Sequence, residues 1–296
     1  MTLAPFGRRL LRVAKNERLG AYNMIWVADP DGPDPEPGQF YMLAAEREWG
    51  GDDGRPYLPR AFSYARATES ALAFLLEAIG PGTERLAGLT PGEGLWLTGP
   101  LGRPFSAPSE LAAQAGGAIL VGGGIGIAPL AIWRGALVEA GVPARVLLGF
   151  RDHAHSGGLE LFASKREAGQ GDGGVGPSAK VQLCPEVRLA SEDGHAGHRG
   201  LVTDLLAVLL EGDEAASAAV YACGPPAMLE AVRLMCAERG AAAELAMEAP
   251  MACGFGACMG CAVPLAGGGY MRLCVDGPVV EASRIETALV AGSGHR

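Results

Sequence analysis

Up to about residue 105 the chain alternates short apolar runs with turn-forming clusters. RLLRVAKN (9–16), AYNMIWVA (21–28), GQFYMLAA (38–45), RAFSYA (60–65), ALAFLLEAI (71–79) and GLWLTGP (94–100) are rich in β-forming residues. Gly, Pro and Asp separate them, most plainly in DPDGPDPEPG (29–38) and EREWGGDDGRPYLP (46–59). Strands at this spacing predict a small antiparallel β-barrel.

After residue 115 the rhythm changes. GAILVG (117–122) reads as a buried strand, PLAIWRGALVEAG (129–141) as a helix and ARVLLGF (144–150) as a strand. KVQLC (180–184), a helix in LVTDLLAVLLEG (201–212), the strand AAVYACG (218–224) and the helix PPAMLEAVRLMCAERG (225–240) continue the alternation. In the last of these, Met228, Leu229, Val232, Met235 and Cys236 share one face, with Pro226 near its start and Gly240 at its stop. Strands alternating with helices predict a doubly wound parallel sheet. The fold class is therefore α/β plus all-β, divided as 1–108, 109–247 and a C-terminal region 248–296. GQGDGGVGPSA (169–179) reads as a flexible insertion, and no internal repeat is visible. Residues 111–133 carry few polar groups, but their six glycines, Gln114 and Pro129 fit strand, turn and helix better than a membrane span.

Composition narrows the class. The 296 residues are 49% hydrophobic and 19% charged, enough for two cores in a globular chain. A net charge of −9 argues against nucleic-acid binding, which needs a basic surface. The 45 glycines are about twice the usual ~7% share, which fits close backbone approaches such as phosphate-cradling loops, with GC-rich coding bias as the alternative. Arg8, Arg9 and Arg12 interrupt the N-terminal apolar run, so no secretion signal is expected and a cytoplasmic location is the default.

Four of the seven cysteines gather near the C-terminus, in MACGFGACMGCAVP (251–264) and GGGYMRLCVDGP (267–278). The spacing Cys253-x4-Cys258-x2-Cys261-x12-Cys274 is the plant-type 2Fe–2S pattern. Three thiolates on one tight loop can wrap such a cluster if backbone amides turn inward, and Gly254, Gly256, Ala257 and Gly260 leave room for that. Zinc is the alternative, although structural zinc sites favour two C-x2-C hairpins and only Cys258 and Cys261 form one here. Cys184 and Cys236 read as small buried hydrophobes.

VGGGIGIAPL (121–130) joins a strand to a helix, and its Gly122, Gly123, Gly124 and Gly126 would let a pyrophosphate approach the backbone. Alone the loop is equally a plain tight turn, since Ile127 occupies the third glycine position of G-x-G-x-x-G. CGPPAML (223–229) repeats the arrangement with Cys223, Gly224 and Pro225, and two such turns on one sheet edge make a nucleotide crevice. Glu192 and Asp193 in RLASEDGHAGHRG favour the free ribose hydroxyls of NAD over NADP, though a solvated acidic loop reads the same way. Nicotinamide exchanges a hydride and an iron–sulfur cluster a single electron, so a chain holding both calls for a flavin. Arg60, Phe62 and Ser63 of RAFSYA, with Gly80, Gly82 and Thr83 of the glycine loop expected at GPGTERL (80–86), are the candidates for it, although each alone reads as an ordinary strand end or turn.

The ordered set RAFS, GPGT, GPLGRPF, VGGGIGIAP, DGHAGHRGLVTDLL, CGPPAML and MACGFGACMGC…CVDGPVV resembles the electron-transfer subunits of NAD-dependent dihydroorotate dehydrogenases. These belong to the ferredoxin–NADP reductase-like superfamily, and the resemblance spans almost the whole chain. It implies FAD held by Arg60, Ser63, Gly80, Gly82 and Thr83. It places NAD at Gly122 to Gly126 and at Cys223 to Pro225, with Cys223 near the nicotinamide. The four clustered cysteines would bind 2Fe–2S. It further implies an FMN-containing catalytic partner that oxidises dihydroorotate, a heterotetramer of two copies each, and a role in pyrimidine synthesis. Ala61 stands where the family often has Pro, and Pro250 where a basic residue is common; both bear on flavin potential or partner contact. The surface around Met259 is a candidate docking face. A flavin/iron–sulfur subunit of a hydrogenase or an NADH–ferredoxin transhydrogenase shares these motifs. A zinc-stabilised nucleotide-sensing module is the alternative of another class.

Overall fold

The computed structural model describes residues 5–50, 55–163, 183–212, 218–290 and 292. Strands β1 (Arg9–Leu19), β2 (Tyr22–Ala28), β3 (Phe40–Ala45), β4 (Arg60–Thr68), β5 (Ala71–Glu77) and β6 (Gly94–Leu101) close into an antiparallel barrel in the order β1-β2-β5-β4-β3-β6. The alternation along each strand explains their dense hydrophobicity. In β2, Ile25 and Val27 enter the barrel core, whereas Tyr22 and Met24 point outward into the core of the neighbouring sheet. In β5, Leu72, Phe74 and Leu76 point in, and Ala73 and Leu75 point out. In β3, Tyr41 and Leu43 point in, while Phe40 and Met42 pack against the C-terminal region. Both faces of these strands are covered, so the runs carry few polar residues.

The second sheet uses β7 (Ala118–Gly123), β8 (Ala144–Phe150), β9 (Val187–Ser191), β10 (His198–Arg199), β11 (Ala219–Cys223) and β12 (Ala243–Ala246). The hairpin β13 (Ala262–Pro264) and β14 (Tyr270–Arg272) stands apart, and β15 (Val279–Glu281) returns to the sheet edge. Among the described residues the order is β10-β9-β8-β7-β11-β12-β15, parallel except for β15. The helices are α1 (Pro81–Ala87), α2 (Leu111–Gln114), α3 (Ile127–Glu139), α4 (Val202–Glu211), α5 (Pro226–Arg239) and α6 (Leu273–Asp276). Every residue of β7 is buried because both faces are covered. Ile119 and Val121 meet Leu206 of α4 and Leu229 and Val232 of α5, whereas Leu120 meets Leu130, Trp133 and Leu137 of α3. The apolar face expected on α5 is the one that packs, and Gly240 closes the helix in the left-handed conformation with φ 66°.

Two local expectations change, and one strand is added. Val187–Ser191, unmarked as a strand in the sequence, pairs parallel to β8 with Val187 opposite Val146. Of the strand expected at KVQLC, only Leu183 and Cys184 lie among the described residues. Leu183 makes only an isolated bridge to Ala163, and positions 180–182 lie outside the described residues. GPGTERL is not a loop but the start of α1, with Pro81 at its first position. α3 begins at Ile127 rather than Pro129, because a proline in the first turn removes no intrahelical hydrogen bond. The insertion at 169–179 lies outside the described residues. Residues 118–123 and 127–139 form a strand and a helix, and among the described residues no helix is long and apolar enough to cross a membrane.

Barrel and sheet are clasped together. Ala21 N–H in the β1–β2 turn donates to Ala154 O (2.7 Å). His155 is half-buried between Asp152 (Nδ1···Oδ1 2.6 Å) and Glu77 at the end of β5 (Nε2···Oε1 3.1 Å), with Arg151 Nη2 2.6 Å from the same Nε2. The C-terminal region is anchored equally firmly. Phe40, Met42 and Leu101 of the barrel share one core with Cys261, Val263, Met271, Leu273 and Cys274.

Candidate functional site

A cleft of about 440 Å³ opens where the three parts meet. Its barrel wall includes Arg60, Phe62, Ser63 and Thr83; its sheet wall includes Gly126 and Cys223; a third side is formed by residues 246–251, running into the cysteine loop. Distant stretches of sequence thus converge on one space.

Arg60, the first residue of β4, sits over the opening of α1. Its Nη1 donates to Leu58 O (2.5 Å), and its guanidinium lies 5.8 Å from the Trp49 ring centroid. A Cβ at Gly82 would come within 2.6 Å of Arg60 Nε, so the guanidinium lies against the bare Cα there and a side chain would displace it. The Thr83 hydroxyl accepts N–H bonds from Ile79 (2.9 Å) and Gly80 (3.1 Å) and donates to Gly80 O (3.1 Å). Thr83 therefore shapes the turn, and Arg60 supplies the cation. A guanidinium at a glycine turn beside a cleft fits a cofactor phosphate.

The two glycine turns abut. A Cβ at Gly126 would lie 2.5 Å from the carbonyl C and O of Cys223 and from Gly224 N, all backbone atoms. Gly123 packs against Met228 and Pro225, Gly224 against Met228 and Gly123, and Gly122 against Ile127, Leu130 and Leu148. These glycines are required first by protein packing, which brings the turns after β7 and β11 together at the point where the sheet reverses direction. That is where an open parallel sheet leaves a nucleotide crevice. Cys223 is 5% exposed, and burial, then the Glu248 carboxyl, hold its thiol well above the ordinary range.

Glu192 and Asp193 are exposed on the loop after β9 and do not line the cleft. They share the C-terminal edge of the sheet, Phe150 pairing with Ser191 and Gly123 with Gly149. The two Asp193 oxygens accept the amides of His195 (2.9 Å) and His153 (3.2 Å), which lower its pKa. Asp193 organises its loop; Glu192 is the carboxylate left facing outward.

The four clustered cysteines form two neighbouring pairs, Cys253 with Cys258 and Cys261 with Cys274. Gly256 N–H donates to Cys274 Sγ (3.1 Å) and Cys274 N–H to Cys261 Sγ (3.4 Å). Desolvation raises the Cys253 thiol, but the amides of Cys258, Phe255 and Ala257 together with the Cys258 thiol outweigh it and bring it down to about 6. Burial, then the Cys261 thiol, push Cys274 up to about 12. Inward amides around sulfur are what an iron–sulfur loop requires, and Gly256 (φ 85°) adopts a backbone that other residues resist. The donor set fits a cluster. Cys258 is exposed, and beside it stand Met259 (53% exposed) and Phe255, whose ring stacks on Phe6 at 4.6 Å. Cys236, by contrast, is a buried residue of α5, its thiol pushed up to about 12 by burial; Cys184 is half-buried.

Sequence reasoning missed two carboxylates in the cleft wall, Glu77 and Glu248. Burial raises Glu248 to about 7. The signal was present: each is a lone charge inside an apolar run, ALAFLLEAI and LAMEAPMA. The β11–β12 register, Cys223 opposite Ala246, brings the second run to the cleft.

Comparison with known proteins agrees with this geometry. Residues 248–286 match the iron–sulfur cluster binding domain of dihydroorotate dehydrogenase B. The electron transfer subunit of dihydroorotate dehydrogenase B (NAD(+)) from Caldanaerobacter subterraneus subsp. tengcongensis is 30% identical over 277 residues, 93% of this chain and 96% of that protein. The chain belongs to this family. A probable member from Methanopyrus kandleri is 34% identical over 253 residues, 85% of this chain and 81% of its own. Solved structures share the fold of this chain. An NADH-dependent reduced ferredoxin-NADP oxidoreductase studied for flavin-based electron bifurcation superposes with a TM-score of 0.72 over 94% of this chain and 90% of its own, at 22% identity. A ferredoxin NADP+ reductase from Neisseria gonorrhoeae with bound FAD and NADP gives 0.55 over 79% and 92%, at 12% identity.

Proposed function

We propose that this chain is the electron-transfer subunit of an NAD-dependent dihydroorotate dehydrogenase in de novo pyrimidine (UMP) biosynthesis, assembled with an FMN-containing catalytic subunit as a heterotetramer of two copies each. One observation carries the reading. A single cleft is walled by the Arg60 strand, by the paired glycine turns and by the segment leading into the cysteine loop. Residues 1–108 form the FAD-binding unit, 109–247 the NAD-binding unit and 248–296 the cluster-binding unit and tail. A cytoplasmic location suits thiolates that must stay reduced.

Arg60, Phe62 and Ser63, with Gly80, Gly82 and Thr83, would hold FAD. Gly122 to Gly126, Gly224 and Pro225 would hold NAD, with Glu192 and Asp193 toward its adenosine ribose. Cys253, Cys258, Cys261 and Cys274 would hold 2Fe–2S. When bound, the cluster exchanges single electrons, the nicotinamide exchanges a hydride and FAD converts between the two. The chain's own groups prepare the ground for this. Arg60 balances phosphate charge. Cys223, its thiol raised by burial, and Glu248, raised to about 7, offer proton-bearing side chains in the cleft that Arg60 and Glu77 also line. The inward amides of the cysteine loop hold negative sulfur. The apolar surface of Phe6, Phe255 and Met259 would meet the catalytic subunit.

The test is purification of the chain with its endogenous partner, followed by assay of NAD reduction on adding dihydroorotate. A tight complex without that activity overturns the assignment in favour of a hydrogenase or NADH–ferredoxin transhydrogenase subunit. A colourless, zinc-containing protein overturns it in favour of a nucleotide-sensing module.

A further inference from the structure

We propose that Arg272 and Asp276 form a charge pair that sets the reduction potential of the cluster, acting through the backbone of the cysteine loop. The inference rests on reading the four cysteines as cluster ligands. One glycine carries it. The N–H of Gly256 donates to Cys274 Sγ (3.1 Å). The carbonyl of the same residue, Gly256 O, accepts from Arg272 Nη1 at 3.2 Å. The guanidinium thus holds the residue whose own N–H supports a ligand. A bond to its carbonyl fixes the aim of that N–H, and linked hydrogen bonds polarise one another toward the sulfur.

The arrangement is built rather than incidental. Arg272 ends β14 and leads into α6, which carries Cys274. Asp276 holds both ends of it: the Arg272 backbone N–H donates to Oδ2 (3.0 Å), and Nε lies 3.6 Å from the same oxygen. Any Cβ at residue 256 would strike Val275 at 2.7 Å and crowd Arg272 Nη1 at 3.1 Å, so the guanidinium is seated tightly over this glycine. Adding an electron makes the cluster more negative. A nearby cation and aligned N–H groups favour the reduced form, and a carboxylate opposes it. The two side chains are 38% and 35% exposed, so solvent screens their direct fields and gives weight to the route through the backbone.

The two charges pull in opposite directions, which gives the test its sign. The protein is purified with its cluster, iron and acid-labile sulfide are counted, and the midpoint potential is read by an EPR-monitored titration. Arg272→Gln is expected to lower the potential, disfavouring reduction about tenfold, or ~59 mV for a one-electron couple. Asp276→Asn, which keeps an acceptor oxygen for the backbone, is expected to raise it. Arg272→Lys, which keeps the charge but not the fork, is expected between wild type and Arg272→Gln. Wild-type potentials in both charge-removing variants at full iron loading overturn the proposal, as do shifts of the same sign. Loss of the cluster from all three overturns it too, in favour of a purely structural role. A wild-type protein without iron and sulfide overturns the ligand reading itself, a distinct result.

Discussion

Replacing Glu248 by Gln tests whether the cleft buries an ionisable group without compensation. Burial raises this carboxyl from 4.5 to about 7, and no compensating charge or hydrogen bond contributes. At about 1.4 kcal/mol per tenfold change in proton affinity, the ionised form bears a cost of at most about 3 kcal/mol. The residue is half-buried and faces an open cleft, so solvent screening trims this to about 1–2 kcal/mol. The sign follows from proton counting. Below pH 4.5 folded and unfolded chains both hold the proton and stability is level. Between pH 4.5 and 7 the folded chain holds more protons, so stability falls as pH rises, and above 7 it levels again. Gln lacks this fall. Urea unfolding of both proteins at matched cofactor content from pH 5 to 8 should show the variant gaining about 1–2 kcal/mol relative to wild type across that range. A difference that stays constant with pH, or moves the other way, refutes the argument.

Gly126→Ala places a Cβ 2.5 Å from backbone of Cys223 and Gly224, which cannot rotate away. Urea unfolding should show a loss of about 1–3 kcal/mol, and the KM for NADH in dye reduction should rise at least tenfold with flavin content kept. Met259→Asp puts a charge on the exposed apolar face beside Cys258; electron transfer from the partner should slow while NADH-driven dye reduction stays intact, and equal loss of both counts against the docking face. His155→Phe leaves Asp152 and Glu77 without their bridge; the KM for NADH should rise several-fold, more than kcat falls, with His155→Gln recovering part of the loss.

The barrel was legible because all six of its strands were marked by β-forming runs between turn clusters. Of the sheet, β7, β8 and β11 were legible as short apolar runs with glycine at or near their ends, while β9, β10, β12 and β15 were not. What escaped was local competition. Positions 80–86 looked like a loop because two glycines and a proline dominate them, yet Pro81 suits the first position of a helix and the Thr83 hydroxyl captures the amides that begin it. The strand at 187–191 was missed because VRLAS is short and carries Arg188 and Ser191, so pairing with β8 rather than local hydrophobicity marks it. The glycines of 122–126 were legible as important but for a narrower reason than expected. Gly126 is required by the neighbouring turn at Cys223, a constraint that no stretch of sequence shows by itself.

The candidate site divides in the same way. The cysteine loop could be read from spacing, since its four cysteines lie close in the chain and their chemistry is local. Glu77 and Glu248 showed only as lone charges inside apolar runs, and Arg272 showed not at all, since each takes its meaning from the strand or loop packed beside it. The packing explains why these remote groups can matter. Phe40, Met42 and Leu101 of the barrel share one core with Cys261, Met271 and Cys274, and a Cβ at Gly254 would strike Met42 Cγ at 2.6 Å. Apolar contact thus presses the cysteine loop onto the barrel wall, while residues 246–251 carry the chain from the cleft into that loop. Close-packed contacts of this kind do not slide without cost. The spacing between cleft and cysteines is therefore a property of the core, and the exposed groups Phe255, Cys258 and Met259 are left as the side from which another protein can approach.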